Sequence, residues 1–327
     1  MVGKDISNDF AGRRQAQRRI SESRLIFTTC AGAGLGLLRF ESFEVVLIDE
    51  ASQQTEPGSL IPLVKGCQRA ILVGDHVQLR ATVQQHAVIA NFDISLFERL
   101  YNTSDMPGVA KVMLDTQYRM HSDICAFSSA EFYEGKLRTA KADAMIPITP
   151  SRFPWPDCAR KIFIQCASSE DLGGRSKSNQ GQVEVCRQVC KLIDSPKEDG
   201  NFSQQKGKQP VATAFRPMEI AILTPYTRQK ELLASAIPKH NVSSIDGYQG
   251  READIIIFVT VRCNVHSETG FLKDMRRLNV AMTRARAGVI IIGDRSTLTG
   301  RGSDDSDAES KQVWKRLLDG CTEVELT

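Results

Sequence analysis

Two adjacent carboxylates, Asp49 and Glu50, end an uninterrupted aliphatic run, Val45-Val46-Leu47-Ile48. Acids in this position suit the handling of a nucleotide phosphate. Asp49 would hold a magnesium ion, directly or through water, and Glu50 would take the proton of an attacking water. The competing explanation is local: where a strand meets a helix N-terminus, Asp, Glu and Ser are favoured by unpaired amides and the helix dipole. A second run, Ala70–Val73, ends in Gly74-Asp75-His76-Val77-Gln78-Leu79. Packing asks nothing of strand tips, so two polar clusters delivered in the same way point to a ligand, with Gln78 placed to sense a terminal phosphate. His76 has no partner acid or metal-like neighbour and reads as an ordinary loop histidine.

The elements that must position these groups are those of a parallel α/β protein. A continuous apolar run such as Val45–Ile48 predicts a strand buried on both faces, its tip opening into the crevice beyond the sheet. Further strands are expected at Leu25–Thr28, Val112–Leu114, Lys161–Gln165, Glu219–Leu223, Val242–Ile245, Asp254–Val261 and Val289–Ile292, with helical stretches between several of them. That alternation argues for a second parallel sheet. A core helix is expected at 93–101, with Ile94, Phe97 and Leu100 on one face. A closing helix, Gln312–Leu318, carries Val313, Trp314, Leu317 and Leu318 and should dock on the second sheet. The Ser, Pro, Gly, Gln and Lys-rich stretch 195–216 reads as a surface loop, and Arg301–Glu309 as an acidic linker. The domain boundaries follow: a basic segment at 1–23, a first lobe at 24–110, a second at 111–297, and linker plus helix at 298–327.

Composition narrows the function classes. The 327 residues are 41% hydrophobic and 25% charged, an ordinary globular balance, and the net charge of +3 permits nucleic-acid binding without demanding it. Arg13, Arg14, Arg18 and Arg19 lie at helical spacing, as a solvated face or as phosphate contacts. No run approaches the roughly 18 apolar residues of a membrane span, and the N-terminus lacks the apolar core of a signal peptide, so a cytoplasmic or nuclear protein with no membrane partner is expected. Nine cysteines are scattered without a Cys-x-x-Cys pair, and Cys186 and Cys190 have no partner at zinc-ligand spacing, which favours reduced, mostly buried thiols.

Six motifs in order carry a more specific likeness: Asp49-Glu50-Ala51-Ser52-Gln53, Gly74-Asp75-His76-Val77-Gln78-Leu79, Gln117-Tyr118-Arg119-Met120-His121, Thr224-Pro225-Tyr226, Asp246-Gly247-Tyr248-Gln249-Gly250-Arg251-Glu252 and Leu278-Asn279-Val280-Ala281-Met282-Thr283-Arg284-Ala285-Arg286. From about residue 20 to about residue 320 the chain resembles the superfamily-one helicases of the up-frameshift and senataxin-like group. The resemblance implies two RecA-like lobes with ATP and magnesium between them, a monomer, nucleic-acid-stimulated ATP hydrolysis, and 5′-to-3′ translocation on single-stranded RNA or DNA, RNA being favoured. Proteins of RNA decay or transcription are its implied partners. By the same likeness Asp49 and Glu50 serve magnesium and water, Gln78 meets the γ-phosphate, and Tyr118 stacks on adenine within the Gln117 motif. Arg119 and Arg284 act as arginine fingers, Gly250 and Glu252 lie near ribose and phosphate, and Arg286 is a further candidate for the nucleotide. Thr29, Pro225, Tyr226 and Ser244 sit in segments similar to those that contact the nucleic-acid strand, where turn and strand-end chemistry is an equal explanation.

One departure matters. No G-x-x-x-x-G-K-[S/T] phosphate loop occurs, and Gly32-Ala33-Gly34-Leu35-Gly36, followed by no lysine before Ser or Thr, reads as a tight turn. The first lobe is therefore expected to be incomplete, its phosphate-loop strand missing, with exposed sheet edges and apolar surface. The expectation is the C-terminal portion of an ATP-dependent helicase that is a poor or dead ATPase as it stands. A non-catalytic nucleic-acid binder and a protein-interaction module are the alternatives.

Overall fold

The computed structural model describes residues 10–104, 106–140, 146–156, 159–171, 173, 176–196, 217–300 and 307–326. Two compact units divide the chain, Met1–Val112 and Met113–Thr327. The first comprises α1 (Phe10–Glu22), α2 (Cys30–Ala33), β1 (Val45–Ile48), α3 (Glu56–Leu63), β2 (Arg69–Leu72), α4 (Gln85–Ile89) and α5 (Leu96–Asn102). Strands β1 and β2 pair in parallel, from Val45 opposite Arg69 to Ile48 opposite Leu72. Their shared core is small: Val46, Ile48 and Ala51, packed by Cys30, Phe43, Leu63, Cys67, Leu72 and Phe97.

The run Val45–Ile48 is a strand, but it is not buried on both faces. Val46 and Ile48 point inward, whereas Val45 and Leu47 are 59% and 62% exposed. Ile71 and Val73, in the second run, are exposed as well. Side chains alternate across a strand, and among the described residues this sheet has two strands with helical cover on one side, so every second residue faces outward. Leu25–Thr28 and Val112–Leu114 form no strand; Leu25, Phe27, Val112 and Leu114 all lie exposed. The expected helix at 93–101 starts at Leu96, because Ser95 caps it by accepting a bond from the Glu98 amide.

The second unit begins with β3 (Thr116–Gln117), α6 (Ser122–Phe132) and β4 (Arg138–Thr139), the two strands forming a small parallel pair. Then come β5 (Lys161–Gln165), α7 (Gln180–Asp194), β6 (Ile220–Thr224), α8 (Thr227–Ala236), β7 (Asn241–Ser244), β8 (Ala253–Val259), α9 (Met275–Met282), β9 (Ala285–Gly293), α10 (Arg295–Thr299), α11 (Ala308–Asp319) and β10 (Thr322–Glu323). Six of these strands form one sheet in the order β10-β5-β9-β8-β6-β7, every pair parallel. Strand β6 is buried at every position, and β8 and β9 at all but one each, as a sheet covered on both faces requires. This is the α/β architecture that the alternation of elements predicts.

Helix α11 docks on this sheet: Trp314 is fully buried, stacks 6.0 Å from Phe258 of β8, and donates from Nε1 to the Leu272 carbonyl. Ala308 and Glu309, expected in the acidic linker, already belong to this helix, while 301–306 lie outside the described residues. Most of the expected surface loop, 197–216, lies outside them too.

Candidate nucleotide and nucleic-acid site

In the first unit the tip of β1 turns sharply. Glu50 adopts a left-handed backbone, φ 50°, uncommon for a residue with a side chain and costing on the order of 1–3 kcal/mol. The turn is clamped by neighbours: the Asp49 carboxylate accepts the Glu50 amide at 2.9 Å, and the Gln53 amide donates to the Glu50 carboxylate. Behind them the Ala51 amide donates to the Val73 carbonyl, and the buried Ser52 hydroxyl accepts from the Asp75 amide. Gly74 permits this closeness, since a Cβ there would lie 2.8 Å from the Ser52 amide nitrogen. Asp75 in turn accepts from the Gln78 side chain at 2.7 Å and from the Val77 amide. The two strand tips are thus stitched together, and both Asp49 and Glu50 remain exposed.

The donor set at this tip fits a magnesium ion. One oxygen of Asp49 is engaged by its own turn and the other remains as a ligand atom. Magnesium is commonly held through one or two carboxylates, phosphate oxygens and waters rather than by an all-protein cage. No group of three or more His, Cys, Asp or Glu side chains is arranged to hold a metal ion among the described residues. In the same unit Thr29 acts as the N-cap of α2, its hydroxyl accepting from the Gly32 amide at 3.0 Å. The glycine-rich stretch is a single helical turn followed by Gly36 at φ 54°.

In the second unit the motif residues divide between the two ends of the sheet. At the amino ends of β8 and β9, Gln117 organises its own loop. Its oxygen accepts the amides of Arg119 and Met120, and its nitrogen donates to the Met120 carbonyl and the Thr139 hydroxyl. Tyr118 is left 66% exposed, a free aromatic face. Arg119 pairs through Nε with Glu252 at 2.6 Å and donates from Nη1 to the Thr283 carbonyl. The Arg119 guanidinium, with help from Arg286, holds the Glu252 carboxyl below its ordinary pKa although burial opposes it. Arg286 meets Glu252, Asp254 and Glu219, each at 2.9 Å. Arg284 is 4% exposed and folds back on its own helix, donating to the Val280 carbonyl and the Thr283 hydroxyl. Gly250 sits at φ 74°, where a side chain would be strained.

At the carboxyl ends, Ser244 accepts the Gly247 amide at 3.2 Å and shapes the turn after β7. Tyr226 is 4% exposed, and burial pushes its phenol pKa up. Its ring packs 5.4 Å from that of Phe271, which is 54% exposed and carries the Arg277 guanidinium over its face. Pro225 is half-buried beside it. The exposed aromatic at this end is therefore Phe271, which the sequence motifs pass over; its cue was the flanking Gly270 and Lys273 within a loop. Glu219 and Asp254 also lie outside the sequence motifs, and their one local signal is the alternation of acids along Glu252-Ala253-Asp254, which puts Glu252 and Asp254 on a shared face.

Two family profiles, each described as an AAA domain, match residues 92–296 and 3–86. The chain is 34% identical over 326 residues to a regulator of nonsense transcripts 1 homolog of Drosophila melanogaster, with 94% of this chain and 25% of that protein aligned. It is 38% identical over 311 residues to the Arabidopsis thaliana homolog, covering 94% and 23%. With the ATP-dependent helicase NAM7 of Saccharomyces cerevisiae it shares 33% identity over 322 residues, covering 94% and 30%. The chain spans about a quarter of the length of the curated relatives it matches. It belongs to the AAA-domain, superfamily-one helicase family that includes regulator of nonsense transcripts 1.

Proposed function

We propose that this chain contributes the water-activating acids, the arginines and the nucleic-acid grip of an ATP-dependent helicase that moves 5′ to 3′ on single-stranded RNA in preference to DNA. The observation that carries this reading is the pair Asp49 and Glu50, exposed at a stitched strand tip with Glu50 held in a strained backbone. Strain of this kind persists where the surroundings over-determine it, and functional sites are where it collects. Asp49 would hold the magnesium ion, which when bound neutralises phosphate charge. Glu50 takes the proton of the hydrolytic water, and Gln78, oriented by Asp75, meets the γ-phosphate.

The second unit supplies Tyr118 for adenine, with Gln117 shaping its loop, and Arg119 and Arg284 for transition-state charge. Gly250 and Glu252 attend ribose and phosphate. Arg119 keeps Nη2 for an incoming acceptor, since its other two nitrogens are engaged. Arg284 must leave its helix carbonyl to act. Thr29, Pro225, Tyr226 and Ser244 shape backbone that grips sugar and phosphate without reading sequence. Proteins of RNA decay or transcription are the partners this reading brings, with the chain acting as a monomer in cytoplasm or nucleus.

The sequence contains no G-x-x-x-x-G-K-[S/T] phosphate loop, so the 327 residues alone should turn over ATP poorly or not at all. The test is ATP hydrolysis by a polypeptide joining a phosphate-loop lobe to this chain, with and without single-stranded RNA. RNA-stimulated turnover lost in Glu50→Gln supports the reading. Turnover that survives Glu50→Gln defeats the role of the acid, and binding of RNA without stimulation favours a non-catalytic nucleic-acid module.

A further inference from the structure

Arg119 and Arg286 share one carboxylate, yet they are held in different ways. Arg286 spends all three guanidinium nitrogens on three acids: Nε on Asp254, Nη1 on Glu252 and Nη2 on Glu219, each at 2.9 Å. Arg119 spends Nε on Glu252 and Nη1 on the Thr283 carbonyl, and Nη2 makes no bond among the described residues. A guanidinium offers five N–H donors in a rigid fork, so the one whose sides are all taken by anions is a scaffold, and the one with an open tip can meet a new anion. Glu252 ties the two together, one oxygen to each arginine.

Charge gives the same division. Two arginines against three carboxylates leave the cluster with a net charge of −1, so an approaching phosphate is not drawn to it as a whole. Attraction is confined to the open side of Arg119, where the chain has left one donor edge free. The acids around Arg286 have the further effect of keeping its positive charge from competing for the same phosphate.

We infer that Glu219 and Asp254 are positioning residues for Arg119, acting through Arg286 and Glu252. They lie on different strands, Glu219 just before β6 and Asp254 in β8, so the relay ties the amino ends of three neighbouring strands to the loop that carries Arg119. The Asp254 carboxylate also accepts the Glu219 amide at 2.8 Å, which fixes the two acids to each other. With both neutralised, Arg286 keeps Glu252 as its one charged partner and can pivot about that bond, the brace on Glu252 slackens, and the Arg119 fork no longer keeps a single orientation. The inference rests on the reading above that Arg119 faces a nucleotide, but its first test needs none.

That test is the Nε–Hε signal of Arg119 in the 15N-labelled 327-residue chain, assigned by its disappearance in Arg119→Lys. In the unaltered chain the signal should sit apart from those of exposed arginines, as a charge-assisted bond to a carboxylate demands, and its hydrogen should exchange slowly with water. In Glu219→Gln combined with Asp254→Asn the exchange should rise by about tenfold, the loss of roughly 1.4 kcal/mol of ordering, while the backbone amide spectrum persists. If the two acids serve the fold alone, the melting temperature falls and the Arg119 signal stays where it was; that result overturns the inference. Should the double variant fail to fold, Arg286→Lys, which cannot span three carboxylates, gives the same reading, and an unmoved Arg119 signal there is equally fatal. Titration with a fluorescent ATP analogue separates the two levels. Weaker binding by the double variant than by the parent extends the relay to the nucleotide, whereas no binding by either form counts against the nucleotide-facing role and leaves the relay to be judged on the Arg119 signal.

Discussion

Glu50 presents its carboxylate from a left-handed backbone at the tip of β1. Left-handed residues are usually Gly, Asn or Asp, and nothing in Asp49-Glu50-Ala51 marks the conformation. Glycine at this position removes the strain while adding flexibility to the unfolded chain, so Glu50→Gly should raise unfolding stability by about 1 kcal/mol, read in urea titration, even as the carboxylate is lost. A lower stability would mean that the bond from Gln53 outweighs the strain. Glu252 makes a pH prediction. Its folded pKa is depressed, first by the bond from Arg119, so its contribution is present above the ordinary glutamate pKa and fades as the pH falls through the folded value. Glu252→Gln should therefore lower stability at neutral pH by no more than about 1 kcal/mol, since the group is part exposed, and flatten the loss of stability below about pH 4.3. An unchanged acid limb would remove Glu252 from the account. Arg119 and Arg286 look alike in Arg119-Met120 and Ala285-Arg286; their different employment depends on acids 133 residues away for Arg119 and 32 to 67 residues away for Arg286, which the sequence around each arginine does not reveal.

Helix α7 and strand β8 meet in a buried polar knot. Asn179 caps α7 by accepting the Gln182 amide and sends its own amide hydrogens to the Ser168 and Val261 carbonyls; Gln182 accepts the Val261 amide. Val261 stands at φ 72°, an outlier for a β-branched residue, and these bonds hold it there. Asn179→Ala removes a cap and leaves buried carbonyls unpaired, so it should cost about 2–4 kcal/mol by equilibrium unfolding, against less than about 1 kcal/mol for an exposed cap. A loss of less than 1 kcal/mol would show that other groups satisfy the knot. Elements of this kind are half legible. The strands at 161–165, 220–224, 253–259 and 285–293 follow apolar runs visible in the sequence, the first with both ends as expected and the others with ends displaced by one to four residues. The short β10 is not, because Thr322–Glu323 owes its place to pairing with β5 and not to its own pattern.

The two units differ in how much apolar surface they bury. The second has a core spanning β5, β6, β8, β9 and α7, with many residues wholly enclosed. The first encloses three side chains in its described core and leaves Leu25, Phe27, Val45 and Leu47 largely exposed. Local opening should therefore be far easier in the first unit, and amides of β1 and β2 should exchange with deuterium about a thousandfold faster than those of β8 and β9, a gap of roughly 4 kcal/mol. Equal protection would show that the first unit is as firmly closed as the second. Composition and motif order make the presence of two parallel sheets readable, but not this imbalance, since an apolar run looks the same whether or not a neighbour covers it.

Strand β8 runs seven residues, about 23 Å, from the acid–arginine cluster at one end to the knot at Val261 near the other. It is flanked on both sides by paired strands, so it bends only together with its neighbours, and its ladder to β9 is irregular between Ala253 and Ile255. Mechanically the sheet is a strut. A displacement of its amino end is therefore shared with the strands beside it, so the acid–arginine cluster and the knot at Val261 are joined through the whole sheet and not through one strand.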